Sequence, residues 1–225
     1  MDERGVRGDK GKTCWFSLLR ILVGAIVLVA LLPQGQMSAQ RGQQVVNVPF
    51  VAKPPTIDGT LEEGEWTQAA RLQLKARQGD ANCIFYLAND AGRLYIAVDA
   101  VDDRTHSSLR GPGRFDNMAA WFRSNGTWVG FWLYGDSTLR TERLPNFARY
   151  PSGAFGRAKG PPEVSHMIFE LSIPLQELGI TPGESVRAGL HYWDSYPQGP
   201  SFWWPPNVGV DLPERYAQLV LSLKP

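Results

Sequence analysis

Apolar and polar positions alternate along much of this chain, in short segments that Gly- and Pro-bearing turns separate. Residues 83–87 and 93–101 form one such pair around a turn at Asn89-Asp90-Ala91-Gly92, which indicates a hairpin. Residues 164–173 place every second side chain on one apolar face, and Leu175 to Leu178 is a single helical turn. Because about eight to ten such strands are joined by turns, with only short helical segments, we predict an all-β, antiparallel β-sandwich.

The segment 117–134 defines its own register, because Asn125-Gly126 is the preferred two-residue type I′ turn and pairs Ser124 with Thr127. Counting outwards, one face pairs Met118 with Leu133, Ala120 with Phe131, and Phe122 with Val129. The other face pairs Arg123 with Trp128, Trp121 with Gly130, Ala119 with Trp132, and Asn117 with Tyr134. The first face belongs in a core, and the second is either covered by loops or a binding platform.

Two aromatic-bearing segments are predicted to be long loops near this hairpin. Residues 139–162 are polar and rich in Gly and Pro, and residues 196–206 include Trp203 and Trp204. Loops of this length are usually functional or disordered, and so many aromatic side chains argue against disorder.

Residues 57–70 are predicted to form a turn followed by a short helical plug. Asp58-Gly59 is a tight-turn pair, and Thr60 with Glu63 resembles a capping box. Trp66 and Ala69 lie three apart, so they share one face that would press onto a sheet. We assign this stretch a structural role and no ligand.

The N-terminal segment has the layout of a secretory leader. Five basic residues precede the apolar run that extends from Ile21 to Leu32, and small residues follow Pro33. We predict a signal-peptide helix over 1–39 and a single domain over 40–225, which places the protein outside the cell, in the periplasm or in the cell envelope. Met37 weakens the cleavage site, so an uncleaved membrane anchor is the alternative, and only then is a membrane a partner.

The net charge and the number of cysteines restrict the classes of binding partner and metal site that we expect. Removing the five basic and three acidic residues of the leader from totals of 23 and 22 leaves a net charge near −1, which gives no reason to expect nucleic acid. Cys14 belongs to the leader, so Cys83 is alone and neither a disulfide nor a zinc site is expected. We expect Cys83 to be buried.

The density of aromatic residues points to carbohydrate, because the C–H groups of a pyranose pack on flat rings whose edges are polar. The candidate rings are Trp121, Trp128, Trp132, Trp203 and Trp204, with Arg123, Asn117 and Glu170 as hydrogen-bonding partners for hydroxyls. An exposed aromatic patch of this size usually marks a binding surface. No nucleophile, zinc-protease or phosphate-loop motif is present, so we do not expect an enzyme.

Two cofactors are compatible with the residue types. Carboxylates at Asp99, Asp102, Asp103 and Asp116 border one loop and are tentative calcium ligands. The set Met118, Met167, His166 and His191 contains the side chains of a non-covalent haem b site. A solvated acidic loop and ordinary core packing are the respective alternatives.

Several segments in order resemble family 9 carbohydrate-binding modules. The matching pieces are Ile57-Asp58-Gly59, Glu65-Trp66-x-x-Ala69, Leu94-Tyr95-Ile96-Ala97-Val98, Phe115-Asp116-Asn117, and Phe169-Glu170-Leu171-Ser172-Ile173-Pro174-Leu175. The resemblance implies a jelly-roll sandwich, often attached to xylanases and other secreted polysaccharide enzymes. It also implies structural calcium and a sugar held between two aromatic rings, which here would be Trp121 and Trp203 or Trp204.

The chain departs from the family at Asn117, where an acidic residue is common, and we expect a lone module without an enzyme domain beside it. The same sandwich resembles haem- or sugar-binding domains related to the dopamine-monooxygenase N-terminal module. We therefore predict a secreted, non-catalytic module that binds poly- or oligosaccharides and is accessory to a secreted glycoside hydrolase. The alternatives are a b-type haem electron-transfer domain and an envelope structural or interaction protein.

Overall fold

The chain folds as two β-sheets packed face to face. The computed structural model describes residues 44–75, 82–102, 116–124, 127–142, 151–160, 164–194, 201–206, 208 and 212–224. The predicted leader over 1–39 lies outside these ranges. Among the helices that the described ranges contain, none has the length and apolar character needed to span a membrane.

The larger sheet has seven strands. They are β1 (Val45–Val48), β5 (Asn117–Ser124), β6 (Thr127–Tyr134), β7 (Leu139–Glu142), β10 (Ser185–Trp193), β11 (Ser201–Trp204) and β12 (Ala217–Leu221). Their order across the sheet is β1, β12, β10, β5, β6 and β7, and β11 also pairs with β10. The β1–β12 pair is parallel and the others are antiparallel.

The smaller sheet has five antiparallel strands. They are β2 (Ala70–Lys75), β3 (Asn82–Asn89), β4 (Arg93–Asp102), β8 (Ser152–Gly160) and β9 (Val164–Pro174), in the order β2, β3, β4, β9 and β8. Short 3-10 turns occur at Leu175–Leu178 and Pro213–Arg215. The prediction of an all-β sandwich is therefore confirmed.

The β5–β6 hairpin has the register that the Asn-Gly turn predicts. All eight pairs from Asn117 with Tyr134 to Ser124 with Thr127 match, although the turn residues themselves lie outside the described ranges. Met118, Ala120 and Phe122 are fully buried between the sheets, together with Phe131 and Leu133 opposite them. The inward face of the hairpin is therefore the apolar one, as predicted.

The smaller sheet contributes the other half of the core by the same alternation. Met167, Phe169, Leu171 and Ile173 all point inward from β9 and are fully buried. Cys83 is buried in the same core as a free thiol, and burial, with the charge of Asp99 second, raises its pKa well above the ordinary value. The prediction that Cys83 is buried is confirmed.

Two segments predicted to be loops contain strands. Strands β7 and β8 lie within 139–162, and β11 lies within 196–206. β7 and β8 are the terminal strands of their sheets, and β11 is four residues long. An edge strand needs backbone pairing on one side only, so its side chains need not alternate strongly, and the sequence pattern is correspondingly weak.

The turn at the start of residues 57–70 forms as predicted, whereas the capped helix does not. Gly59 has φ of +88°, and the Asp58 carboxylate accepts a hydrogen bond from the Thr60 amide over 2.9 Å. Successive turns replace the helix over 63–68, with Ala69 donating to the Trp66 carbonyl over 3.1 Å. The Asp58 side chain defines a turn at the place where Thr60 would otherwise begin a helix.

This stretch covers the outer face of the smaller sheet. Trp66 is buried and Ala69 is half-buried, and both pack with Tyr95 and Ala97 of β4 in a second apolar cluster. The prediction that Trp66 and Ala69 press together onto a sheet is therefore confirmed. Residues 57–70, which precede the β3–β4 hairpin in the chain, therefore cover the outer face of the smaller sheet.

Glu170 of β9 holds the covering stretch in place. Its Oε2 accepts hydrogen bonds from the amides of Asp58 over 2.9 Å and Gly59 over 2.8 Å. Its Oε1 accepts a hydrogen bond from Trp66 Nε1 over 3.1 Å. Glu170 is 0 % exposed, so the prediction that it contacts sugar hydroxyls is wrong, because both carboxylate oxygens are occupied inside the fold.

The backbone of the Asp58-Gly59 turn packs directly against the backbone of the edge strand β8. A Cβ atom on Gly156 would lie 1.9 Å from the Gly59 carbonyl oxygen, and one on Gly59 would lie 2.7 Å from the Phe155 backbone. Both positions therefore need glycine, since the obstructing atoms belong to the backbone and cannot swing aside.

Gly156→Ala should lower the free energy of unfolding by about 1–3 kcal/mol, because the added methyl group forces the turn off β8. Urea denaturation measures this loss. Gly92→Ala is the matched control, since its nearest obstruction is the Asp90 carboxylate at 4.0 Å. Equal stability of the two variants would contradict the assigned packing.

Glu170→Gln should cost about 1–3 kcal/mol even though it removes a buried charge, because the amide NH₂ must face at least one N–H donor. Burial raises the pKa of Glu170 above 4.5, and the hydrogen bonds from Gly59, Asp58 and Trp66 oppose that rise only in part. The folded state therefore binds the proton more tightly than the unfolded state, so the wild type loses stability as pH rises through and above 4.5.

Urea midpoints between pH 4 and pH 7 test both parts of this expectation. The wild-type advantage over Glu170→Gln should be largest at the acidic end and should shrink towards pH 7. Glu63→Gln, an exposed change in the same stretch, serves as control. An advantage that grows with pH would show that the carboxylate is stabilised as the anion.

Candidate functional site

The outer face of the larger sheet carries side chains in lateral rows, because the strand register aligns the outward positions. One row is Trp203, His191, Ala119, Trp132 and Arg140; the next is Gly189, Trp121, Gly130 and Glu142; a third is Gln218, Arg187, Arg123 and Trp128. This face is not covered by residues 57–70, which lie on the smaller sheet. We call it the aromatic face.

Trp121 forms the buried centre of the aromatic face. It is 2 % exposed, and the Trp132 ring meets it edge-on with centroids 5.9 Å apart and planes at 78°. Both rings fold over Gly130, where a Cβ atom would lie 2.6 Å from Trp132 and 2.9 Å from Trp121. The glycine therefore lets both indoles approach the sheet closely, with one ring edge-on to the other.

Trp203 and His191 stack beside this pair. The His191 and Trp203 ring centroids are 3.8 Å apart at an interplanar angle of 22°, and Trp203 is nearly parallel to Trp121 at 5.5 Å and 12°. A pyranose held between two parallel rings needs planes at least about 7 Å apart, two van der Waals contacts of 3.5 Å. The sugar sandwich between Trp121 and Trp203 that the family resemblance implies has no room here.

The far side of Trp121 is filled by Tyr216 and Val208, both buried. They lie over Gly189, where a Cβ atom would be 3.3 Å from the Tyr216 ring and 3.5 Å from Val208. The aromatic face therefore has a solid apolar base. Around this base, three indoles are only half-buried: Trp128, Trp132 and Trp203.

The remaining predicted ligand residues, Trp204, Asn117 and Arg123, differ in their location and exposure. Trp204 is 5 % exposed and packs in the core between the sheets, because it alternates with Trp203 along β11. Asn117 is 6 % exposed at the start of β5, and Arg123 is exposed opposite Trp128. The structure thus gathers Trp121, Trp128, Trp132, Trp203 and Arg123 on one face and puts Trp204 on the other.

Two polar atoms within the aromatic cluster are buried without a hydrogen-bond partner among the described residues: Trp121 Nε1 and His191 Nε2. Burial lowers the pKa of the His191 imidazole from 6.5 to about 3, so the ring is neutral at physiological pH. Neutrality lets it stack on Trp203 without the cost of burying a charge.

Of the four predicted calcium ligands, the two whose side chains are described do not converge. Asp99 lies on the smaller sheet, where its carboxylate is 2.7 Å from His166 Nδ1, and Asp116 is buried beside β5 of the larger sheet. Asp103 and the Asp102 side chain lie outside the described ranges. Within those ranges no group of three or more His, Cys, Asp or Glu side chains is placed to hold a metal ion, so Asp99 and Asp116 do not fit one shared calcium site.

The four predicted haem ligands also lie in different parts of the fold. Met118 and Met167 are fully buried in the core between the sheets, His166 lies on the outer face of the smaller sheet, and His191 lies on the aromatic face. A histidine and a methionine would have to reach the same iron from opposite sides. These positions do not provide such a pair.

Sequence reasoning did not connect His191 with the aromatic face. The signal was the alternation of β10, which puts Gly189, His191 and Trp193 on one side, but their neighbours depend on the pairing of β10 with β5 and β11. The pairing of β10 with β5 joins strands that are distant in the chain, and the alternation of β10 by itself does not show which strands lie beside it.

Comparisons with known proteins support the fold. No family model matches the sequence, and no curated protein matches it. Among solved structures, the chain is similar to a family 9 carbohydrate-binding module from Caldicellulosiruptor kristjanssonii, in complex with cellotriose and in complex with glucose. In both comparisons the TM-score is 0.61 at 16 % sequence identity over 81 % of this chain, covering 95 % and 97 % of those chains. The chain therefore has the fold of family 9 carbohydrate-binding modules.

His191→Phe should flatten the acid dependence of stability while keeping the stack on Trp203. In the wild type the unfolded chain takes up a proton near pH 6.5 and the folded chain only near pH 3, so stability falls as pH drops through that window. Urea midpoints at pH 4, 5, 6 and 7 measure the slope, with His166→Gln as a histidine control on the other sheet. An unchanged slope in His191→Phe would contradict the assigned burial.

Proposed function

We propose that this protein is a secreted, non-catalytic carbohydrate-binding module whose ligand packs on the aromatic face. The observation that carries the proposal is the set of half-buried indoles Trp128, Trp132 and Trp203 around the buried Trp121. Flat rings with a polar edge suit the C–H faces of pyranoses, and each half-buried indole leaves part of its ring accessible.

The relatives in fold support the same ligand class. The similar module from Caldicellulosiruptor kristjanssonii was solved with cellotriose and with glucose, both built of pyranose rings. The aromatic face here differs in one physical respect, because Trp121 and Trp203 stack on each other at 5.5 Å. We therefore propose that the saccharide lies along the face on one side of the rings and does not insert between two of them.

The face needs little rearrangement to bind. Trp132 is held edge-on against Trp121, and Trp203 is held by the stack with His191, so their orientations are set before a ligand arrives. Side chains that are already ordered lose little conformational entropy on binding. Arg123, exposed opposite Trp128, and Arg140, over the Tyr134 ring at 5.4 Å, can donate hydrogen bonds to hydroxyls at the two ends of the face.

Binding without hydrolysis is the favoured activity. A glycosidase needs two carboxylates flanking the scissile bond, about 5–9.5 Å apart. Glu170 is occupied by three hydrogen bonds on the smaller sheet, and Glu184 accepts a hydrogen bond from the Thr181 amide in its own turn. We place the module beside a secreted polysaccharide-degrading enzyme, outside the cell, on the strength of the predicted leader over 1–39.

Titration with cello-, xylo- and manno-oligosaccharides should change Trp fluorescence and release heat in calorimetry. Trp132→Ala and Trp203→Ala should each weaken binding about two- to tenfold, because loss of one aromatic contact costs about 0.5–1.5 kcal/mol. Tyr86→Ala is the control, since Tyr86 is a half-buried ring on the outer face of the smaller sheet.

Circular dichroism and urea midpoints should show that all three variants keep the fold. A broad panel of soluble saccharides without any response would contradict the proposal. An affinity that falls equally in Tyr86→Ala would move the site away from the aromatic face.

A further inference from the structure

We infer that the aromatic face has an anion-binding end, built by Arg123 and Arg187, that selects saccharides carrying carboxylate groups. The inference rests on the proposed function and names a substrate class for it, the uronic-acid-containing oligo- and polysaccharides. It also adds Arg187, a residue that the sequence pattern did not single out.

The two arginines are direct neighbours across the sheet. Arg187 of β10 lies opposite Arg123 of β5 on one side and opposite Gln218 of β12 on the other, and Arg123 lies opposite Trp128. These four side chains form one lateral row across four strands, about 14 Å long at 4.7–4.9 Å between strands. Both arginines are exposed, so their guanidinium groups are accessible to a ligand.

Placing two like charges directly opposite each other on a sheet is unfavourable. Within the described ranges, neither Arg123 nor Arg187 forms an ion pair with a carboxylate. Two guanidinium groups therefore lie side by side on neighbouring strands. A bound anion would neutralise them.

A shallow depression of about 520 Å³ adjoins Arg123. Its wall also includes Ser185, Gln218 and Glu184. Oε2 of Glu184 accepts hydrogen bonds from the amide and hydroxyl of Thr181 over 2.6 and 3.1 Å, and among the described residues Glu184 forms no ion pair with either arginine. The Gln218 amide donates to the Ser185 hydroxyl over 2.8 Å, which leaves neutral polar groups for sugar hydroxyls beside the charged pair.

The combination matches a sugar acid better than a neutral sugar or a free anion. The guanidinium fork binds carboxylates with two parallel hydrogen bonds, and such charge-assisted bonds are about twice as strong as neutral ones. Trp128 offers the ring of the same sugar an apolar surface next to Arg123. One uronate residue would therefore use both parts of the row.

The test compares one oligosaccharide with and without its charge. Oligogalacturonates and their fully methyl-esterified forms have the same rings, so a difference in affinity reports the carboxylates. The free acid should bind the full chain at least about tenfold more tightly at low ionic strength, and the advantage should shrink towards 0.5 M salt, because exposed charges are screened.

Arg123→Gln and Arg187→Gln should each reduce this advantage, and the double variant should abolish it without weakening the esterified ligand. Arg157→Gln, an exposed arginine on the smaller sheet, is the control with the same change in charge. Each variant of the pair should be at least as stable as the wild type, since it removes repulsion, so lost binding cannot reflect unfolding.

The outcomes separate the two proposals. Equal binding of acid and ester would overturn the anion site and leave the carbohydrate-binding proposal standing. An acid preference that persists in the double variant would also overturn it. No binding of acid, ester or neutral oligosaccharides would overturn the proposed function, and the anion site with it.

Discussion

The structure depends most on the carboxylate of Glu170, which joins a stretch near the start of the domain to a strand more than a hundred residues later. Three donors from Asp58, Gly59 and Trp66 converge on it in a site that water does not reach. A buried carboxylate is costly unless it is hydrogen-bonded, so its partners must stay where they are. The consequence is that residues 57–70 stay on the outer face of the smaller sheet, whereas the half-buried indoles lie on the larger sheet.

Glycines decide how closely each layer packs. Gly59 and Gly156 let two backbones approach at the edge of the smaller sheet, and Gly130 and Gly189 let aromatic side chains approach the larger one closely. Trp121 is buried between these last two positions, whereas Trp128, Trp132 and Trp203 remain half-buried around it. A single sheet face thus combines a buried apolar centre with half-buried indole rings.

Much of the fold was predictable because its signals are local. The Asn-Gly turn defined the register of β5 and β6, and alternation identified the inward faces of β5 and β9. The prediction of loops was wrong at 139–142, 152–160 and 201–204, where short or terminal strands carry little alternation. The capping box predicted for Thr60 and Glu63 was also wrong, because the Asp58 turn takes its place. Within the candidate site, Trp121, Trp128 and Trp132 followed from the hairpin, but the side of Trp203 and Trp204 required the pairing of β11 with β10.

The sequence by itself determined which residues alternate, which turn joins β5 to β6, and that one hairpin carries aromatic rings on both faces. Those properties depend on neighbours a few positions apart, through backbone conformation and the two-residue period of a strand. Only the tertiary structure decided that Glu170 binds the covering stretch, that Trp203 stacks on His191 and Trp121, and that Arg187 lies opposite Arg123. Each of these contacts joins different elements of the fold, and the alternation of a strand is the same whichever strand it pairs with.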